Sequence, residues 1–303
     1  MRRLLIRPGA IGDGLCWFPA LHALRTDETE VWIRSELLSL LPGEVRGRSL
    51  ASTGFSLLAV PGAMVPPPLV ETLSGFDEIL SWSGANQPAL RQACDDLGLP
   101  IHFFPALPDQ PGAVSDAYLL QTRAWHGLEE EPEGWRQPGG RRFLLPFLPA
   151  RPQPEGREPL VVLHPYSGSA AKNWPLDSFR ALAGALTGRA RIRWCASPED
   201  PLPNDLATGA WRFADLRELA FAFNEATLFV GNDSGMTHLA AMAGIPCTVF
   251  FGPMDPARWA PRGAELALVR TQAVGEAANA IPISKGIAAT EALLGRVLSR
   301  ALP

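Results

Sequence analysis

Short apolar runs alternate with amphipathic segments along this 303-residue chain, the pattern of βαβ units wound around parallel sheets. Residues 160–163 are apolar at every position, as a strand covered on both faces must be. The same reading predicts strands at 4–7, 31–34 and 101–104, and again at 191–196, 228–230 and 247–251. Helices are expected at 15–24, around 116–125, and at 175–186, 216–226, 236–243 and 288–302. Pro175 suits a first helical turn, where its missing N–H costs little, and Gly244 suits a helix end. Between about 129 and 159 the composition shifts to Pro, Gly, Glu and Arg without a helical period, which reads as the approach to a domain boundary and its linker. The length is ample for two cores. The expected division is 1–150 and 151–303, with the terminal helix free to pack back on the first domain.

Charge and cysteine usage narrow the function. The formal net charge is −4 and no long basic run occurs, which disfavours nucleic acid as a partner. The four cysteines, Cys16, Cys94, Cys195 and Cys247, are far apart and form no C-x-x-C pair. Neither a zinc site nor a disulfide framework is indicated, which suits a reducing compartment. The opening residues 1–6 imitate a signal peptide, but Arg7, Pro8 and Asp13 interrupt the apolar run. No stretch is apolar for long enough to span a bilayer. A soluble, cytoplasmic protein is expected, with contact to a membrane surface left open.

Four segments carry chemistry. The first, RPGAIGDG (7–14), joins a strand to a helix, and its glycines, Gly9 and Gly12 among them, let the backbone approach a ligand. Asp13 sits where a strand end faces the crevice of an open α/β sheet, so it is either a general base or a helix N-cap. The glycine order, G-x-x-G-x-G, is not that of a dinucleotide fold. The second, HPYSGSAAKNWP (164–175), leaves a strand and enters a helix through small residues. Ser167, Ser169 and backbone N–H groups can donate to phosphate there, and Lys172 brings a positive charge. Of the 27 lysines and arginines only Lys172 and Lys285 are lysines, which makes Lys172 more than a routine solvated charge. The third, GNDSGMTH (231–238), again runs from strand to helix. Asp233 or Ser234 can cap that helix, and the following N–H groups suit a diphosphate. His238 is as compatible with packing as with catalysis. The fourth, FGPMDPARWAP (251–261), is a rigid loop that either shapes a ligand crevice or simply turns the chain.

Taken together, GAIGD with FPALHAL, HPYSGSAAKNWP, GNDSGMTHLAAMAGIPC and FFGPMDPARWAP resemble, in the same order, the blocks of glycosyltransferase family 9, the ADP-heptose:lipopolysaccharide heptosyltransferase-like enzymes. Residues 26–158 carry no block that this resemblance covers. It implies an α/β chain of GT-B fold, two Rossmann-like domains facing a central cleft, the acceptor on the first and the nucleotide-sugar on the second. It makes Asp13 the catalytic base and Lys172 a donor-phosphate ligand. It places Asp233, Ser234, Gly235 and Met236 on the donor, and Glu199, with Asp200 as fallback, on its ribose. The implied reaction is inverting transfer of a sugar, heptose among the candidates, from a nucleoside-diphosphate donor to a hydroxyl of a glycan or lipid-linked acceptor. An ADP-sugar is the favoured co-substrate, without a further cofactor. No D-x-D triplet or metal-ligand cluster occurs, so metal-independent transfer is expected. A membrane-proximal acceptor at the inner face of a membrane is implied by the resemblance alone. The rivals are a nucleotide-sugar epimerase or hydrolase on the same fold, and a non-catalytic nucleotide-sugar-binding protein.

Overall fold

The computed structural model describes residues 1–127, 145–150 and 157–300. The chain forms two compact units, Met1–Glu129 and Glu130–Pro303. The first contains, in order, β1 (Arg3–Arg7), α1 (Ile11–Leu24), β2 (Thr29–Ile33), β3 (Arg46–Ser49), α2 (Pro67–Ser74), β4 (Glu78–Ser81), α3 (Pro88–Asp96), β5 (Ile101–Phe103) and α4 (Val114–His126). Its five strands pair in parallel in the order β3-β2-β1-β4-β5. Leu4, Ile6, Trp32, Leu73, Ile79 and Leu90 form a buried core cluster of this unit.

The second unit contains β6 (Leu160–His164), α5 (Leu176–Ala185), β7 (Arg191–Trp194), α6 (Asn204–Ala207), α7 (Leu216–Asn224), β8 (Leu228–Asn232), α8 (Gly235–Met242), β9 (Cys247–Phe251), α9 (Pro256–Trp259), β10 (Leu266–Arg270) and α10 (Ile283–Ser299). Its sheet is also parallel, in the order β10-β9-β8-β6-β7. Strands β6, β8 and β9 are buried at every residue, as a central strand covered on both faces must be. Trp174 lies at the centre of this core, stacked on Phe250 with ring centroids 4.0 Å apart. Its indole N–H donates to Ile281 O at 3.0 Å. All four cysteines are buried and none forms a disulfide.

This topology decides where ligands go. In each sheet the strand order reverses beside the strand that comes first in sequence, between β1 and β4 in the first unit and between β6 and β8 in the second. The loops leaving the carboxyl ends of neighbouring strands diverge at such a point and leave a crevice. The segment 8–13 follows β1, and segments 165–175 and 233–235 follow β6 and β8.

Several elements differ from the sequence expectation for identifiable reasons. Helix α1 begins at Ile11 rather than 15, because the Asp13 carboxylate accepts from Ala10 N and holds its glycine-rich start. Helix α10 begins at Ile283 rather than 288. Its early turn carries Gly286, whose missing side chain leaves room for Trp174 and Phe250. Helix α10 packs on β10, α5 and β9. Edge strand β3, Arg46–Ser49, is exposed at its first three residues and carries no apolar run, whereas edge strand β10 reads LALVR and escaped the sequence expectation despite its four apolar residues. Most of the expected linker, 128–144 and 151–156, lies outside the described residues, as does the expected helix end at Leu302.

Candidate functional site

In the second unit, β6 ends at His164 and the chain crosses a small-residue loop to a 3-10 turn, Ala170–Lys172, before α5. Lys172 Nζ lies 2.7 Å from Asp233 Oδ2, just past the end of β8. The Asp233 side chain is 6% exposed and that of Lys172 27%, so the aspartate is buried and the lysine partly open. An ammonium carries three donors, which leaves two for an anion while Asp233 holds the third.

Ser234, and not Asp233, caps α8. Its Oγ accepts from Thr237 N at 3.4 Å, and Thr237 Oγ1 donates to Asn232 O at 2.5 Å. The first residues of α8, Gly235 and Met236, therefore present backbone N–H groups that have no acceptor within the helix. Together with the helix dipole they favour negative charge at this point.

The asparagine beside Asp233 was not singled out by its sequence. Asn232 is fully buried, its Oδ1 accepting from Trp174 N at 2.9 Å and its Nδ2 donating to Pro165 O at 2.9 Å. The partners lie 58 and 67 residues away, so no local pattern signals the contact. Ser167 Oγ lies 2.6 Å from Asn173 Oδ1 and 3.0 Å from Ser169 O, so its proton serves the loop itself. Ser169 is exposed, and its carbonyl accepts from Lys172 N at 3.0 Å.

The fourth segment joins this cluster through Gly252, which follows β9. A Cβ there would stand 2.5 Å from Ala278 N and 2.9 Å from Ala171 O, both rigid backbone atoms. We therefore expect Gly252→Ala to cost about 1–3 kcal/mol of stability, the range for overpacking a close contact, and to displace the Lys172 turn. Urea unfolding and anion titration of the same variant check both effects. Asp255 caps the short helix α9, its Oδ1 accepting from Ala257 N at 2.9 Å.

Glu199 is exposed in the loop after β7. Its neighbour Asp200 is held inward, Oδ2 accepting from Ser197 N at 2.7 Å and lying 4.0 Å from His164 Nε2. Burial pushes the His164 imidazole down to about 4, against the pull of Asp200, so His164 is neutral at ordinary pH. His238 is 7% exposed in the first turn of α8.

Asp13 belongs to the first unit. It is the third residue of α1, whose N-cap is Ala10, so the alternative reading of Asp13 as the N-cap itself is corrected. Its Oδ2 accepts from Ala10 N at 3.1 Å, the carboxylate half of a capping box. The arrangement depends on Gly9, at φ 121°, where a Cβ would stand 3.1 Å from Asp13 Oδ2. Gly12 lies between them in the first turn. Beneath this turn Arg7 is buried, donating to Tyr118 OH at 2.7 Å and Pro8 O at 2.5 Å. Among the described residues no group of three His, Cys, Asp or Glu is placed to hold a metal ion. No helix among them is long and apolar enough to cross a membrane.

Comparison with known proteins bears on this geometry. Residues 146–280 match glycosyltransferase family 9 (heptosyltransferase). The glycosyl transferase family 9 structure from Veillonella parvula DSM 2008 is 16% identical with a TM-score of 0.67, covering 97% of each chain. E. coli ADP-heptose lps heptosyltransferase II is 17% identical with a TM-score of 0.64, covering 98% of this chain and 99% of its own. E. coli heptosyltransferase WaaC with ADP is 17% identical with a TM-score of 0.65, covering all of both chains. No curated protein matches the sequence. At such identities the likeness establishes the fold, the two parallel α/β sheets of the GT-B heptosyltransferase structures.

Proposed function

We propose that this chain, of which residues 146–280 match glycosyltransferase family 9 (heptosyltransferase), moves a sugar from a nucleoside-diphosphate donor to a hydroxyl of a glycan or lipid-linked acceptor. The observation that carries the reading is the Lys172–Asp233 pair beside the α8 N-terminus, at the switch point of the second sheet. A half-open ammonium and unpaired helix N–H groups are what a departing diphosphate needs. Asp233 serves mainly by holding Lys172, since a carboxylate gains nothing from a phosphate oxygen. An ADP-sugar donor is favoured by the heptosyltransferases of like fold, one of which was solved with ADP.

The reaction is a single displacement with inversion at the anomeric carbon. Asp13 takes the proton of the acceptor hydroxyl as that oxygen attacks. Lys172 and the N–H groups of Gly235 and Met236 receive the charge that develops on the leaving diphosphate. Lys172 and these N–H groups supply the charge stabilisation that a metal ion would otherwise give, so we expect transfer to proceed without one. Ser167 shapes the loop, Ser169 adds a donor, and Asp200 or Glu199 takes the ribose, with His238 close behind on α8. The first unit receives the acceptor and the second the donor. The site of action is the cytoplasm, with peripheral contact at the inner face of a membrane if the acceptor is lipid-linked.

Incubation with nucleotide-sugars, with and without a core oligosaccharide, tests the reading. We expect nucleoside diphosphate to appear only when acceptor is present, with an inverted anomeric linkage by NMR. Release without acceptor would make the protein a hydrolase, and an isomerised sugar without release would make it an epimerase.

A further inference from the structure

We propose that Asn232 is a positioning residue that holds the loop 165–174 in its anion-receiving shape by clamping both ends of it to β8. The inference rests on the reading that this loop receives the donor diphosphate. Strand β6 pairs with β8 only as far as His164 opposite Gly231, so the sheet ladder does not reach the loop. Pro165 O and Trp174 N, at the two ends of the loop, are buried there and meet the Asn232 amide, each at 2.9 Å. The direction of the amide is fixed by its partners, because a backbone N–H only donates and a carbonyl only accepts. Among side chains of this size asparagine offers both an acceptor and a donor from a single planar group whatever the pH. Serine reaches one partner, and an ionised aspartate turns an oxygen toward Pro165 O. The backbone carbonyl of Asn232 also accepts from Thr237 Oγ1, which ties the same residue to the start of α8. The next residue, Asp233, fixes the loop's cation. Thus one dipeptide at the end of β8 sets the backbone of the loop, its charge and its distance from the helix N-terminus.

Asn232→Asp and Asn232→Ser separate this role from general stability. In Asn232→Asp the introduced carboxyl, when protonated, donates to Pro165 O and restores the clamp, whereas its ionised form repels that carbonyl. Binding of a nucleoside diphosphate, drawn from ADP, GDP, UDP, CDP and dTDP as the one the wild type holds most tightly, is measured from pH 5 to 8 alongside the melting temperature. Relative to wild type, Asn232→Asp should bind nearly normally at pH 5 and on the order of tenfold more weakly at pH 8. Asn232→Ser should be weak throughout, and it keeps the test alive if aspartate prevents folding. The acceptor KM should stay unchanged in both. Wild-type affinity in folded Asn232→Ser at all pH values overturns the clamp but leaves the donor site intact. Absence of diphosphate binding by the wild type itself overturns both.

Discussion

Asp13→Asn is expected to lower turnover by about 10²–10⁴-fold, the usual contribution of a general base, while leaving the protein folded and its donor affinity unchanged. The choice of asparagine matters because Asp13 has two roles. Its Oδ2 accepts from Ala10 N and so completes the start of α1. An asparagine oxygen can accept the same bond, so the helix start survives and only the proton acceptor is lost. Alanine would remove both and mix a folding defect into the kinetics. Turnover of Asp13→Asn close to wild type would remove the assigned base and shift the search to other carboxylates. Equal melting temperatures, read in parallel, confirm that chemistry alone has changed.

Lys172→Met should abolish measurable nucleoside diphosphate binding and reduce turnover with it. It should also destabilise the second unit, since Asp233, at 6% exposure, loses its counter-ion. Breaking a fully buried pair costs several kcal/mol, and because Lys172 is partly open we expect about 1–3 kcal/mol here. The double variant Lys172→Met with Asp233→Asn distinguishes the two consequences. Removing the stranded carboxylate should return most of the stability, while diphosphate binding stays lost. If the double variant instead regains binding, Lys172 acts only by neutralising Asp233 and is not a phosphate ligand. Thermal unfolding and calorimetric titration of the three proteins separate these outcomes.

The second sheet was largely legible in the sequence because its central strands are buried on both faces. Leu160 to Leu163 and Cys247 to Phe251 had to be apolar throughout save for Thr248, and they are. The edge strand β3 escaped for the converse reason, while the edge strands β5 and β7 were expected at 101–104 and 191–196. Arg46, Gly47 and Arg48 of β3 face solvent and carry no strand pattern at all. The Gly-rich and Ser-rich turns after β1, β6 and β8 could be placed from composition, since they need close backbone approach and helix starts. What composition could not supply was the pairing among them. That Lys172 meets Asp233, that Asn232 meets both ends of the loop, and that Gly252 lies against Ala171 are contacts across 58 to 81 residues, set by strand order. The Asp13 cap was half legible. The residue type and helix were right, but the carboxylate sits one turn inside, where it accepts from the cap residue rather than being it.

The most direct test of the central claim is a thermal-shift panel with ADP, GDP, UDP, CDP, dTDP and NADH on wild type and Lys172→Met. A ligand that binds only the native state must raise its melting temperature by mass action. We predict that one nucleoside diphosphate stabilises the wild type and fails to stabilise the variant. Stabilisation by NADH alone, or by none of the diphosphates, would contradict the assignment of Lys172 and the α8 N-terminus as the donor-phosphate site.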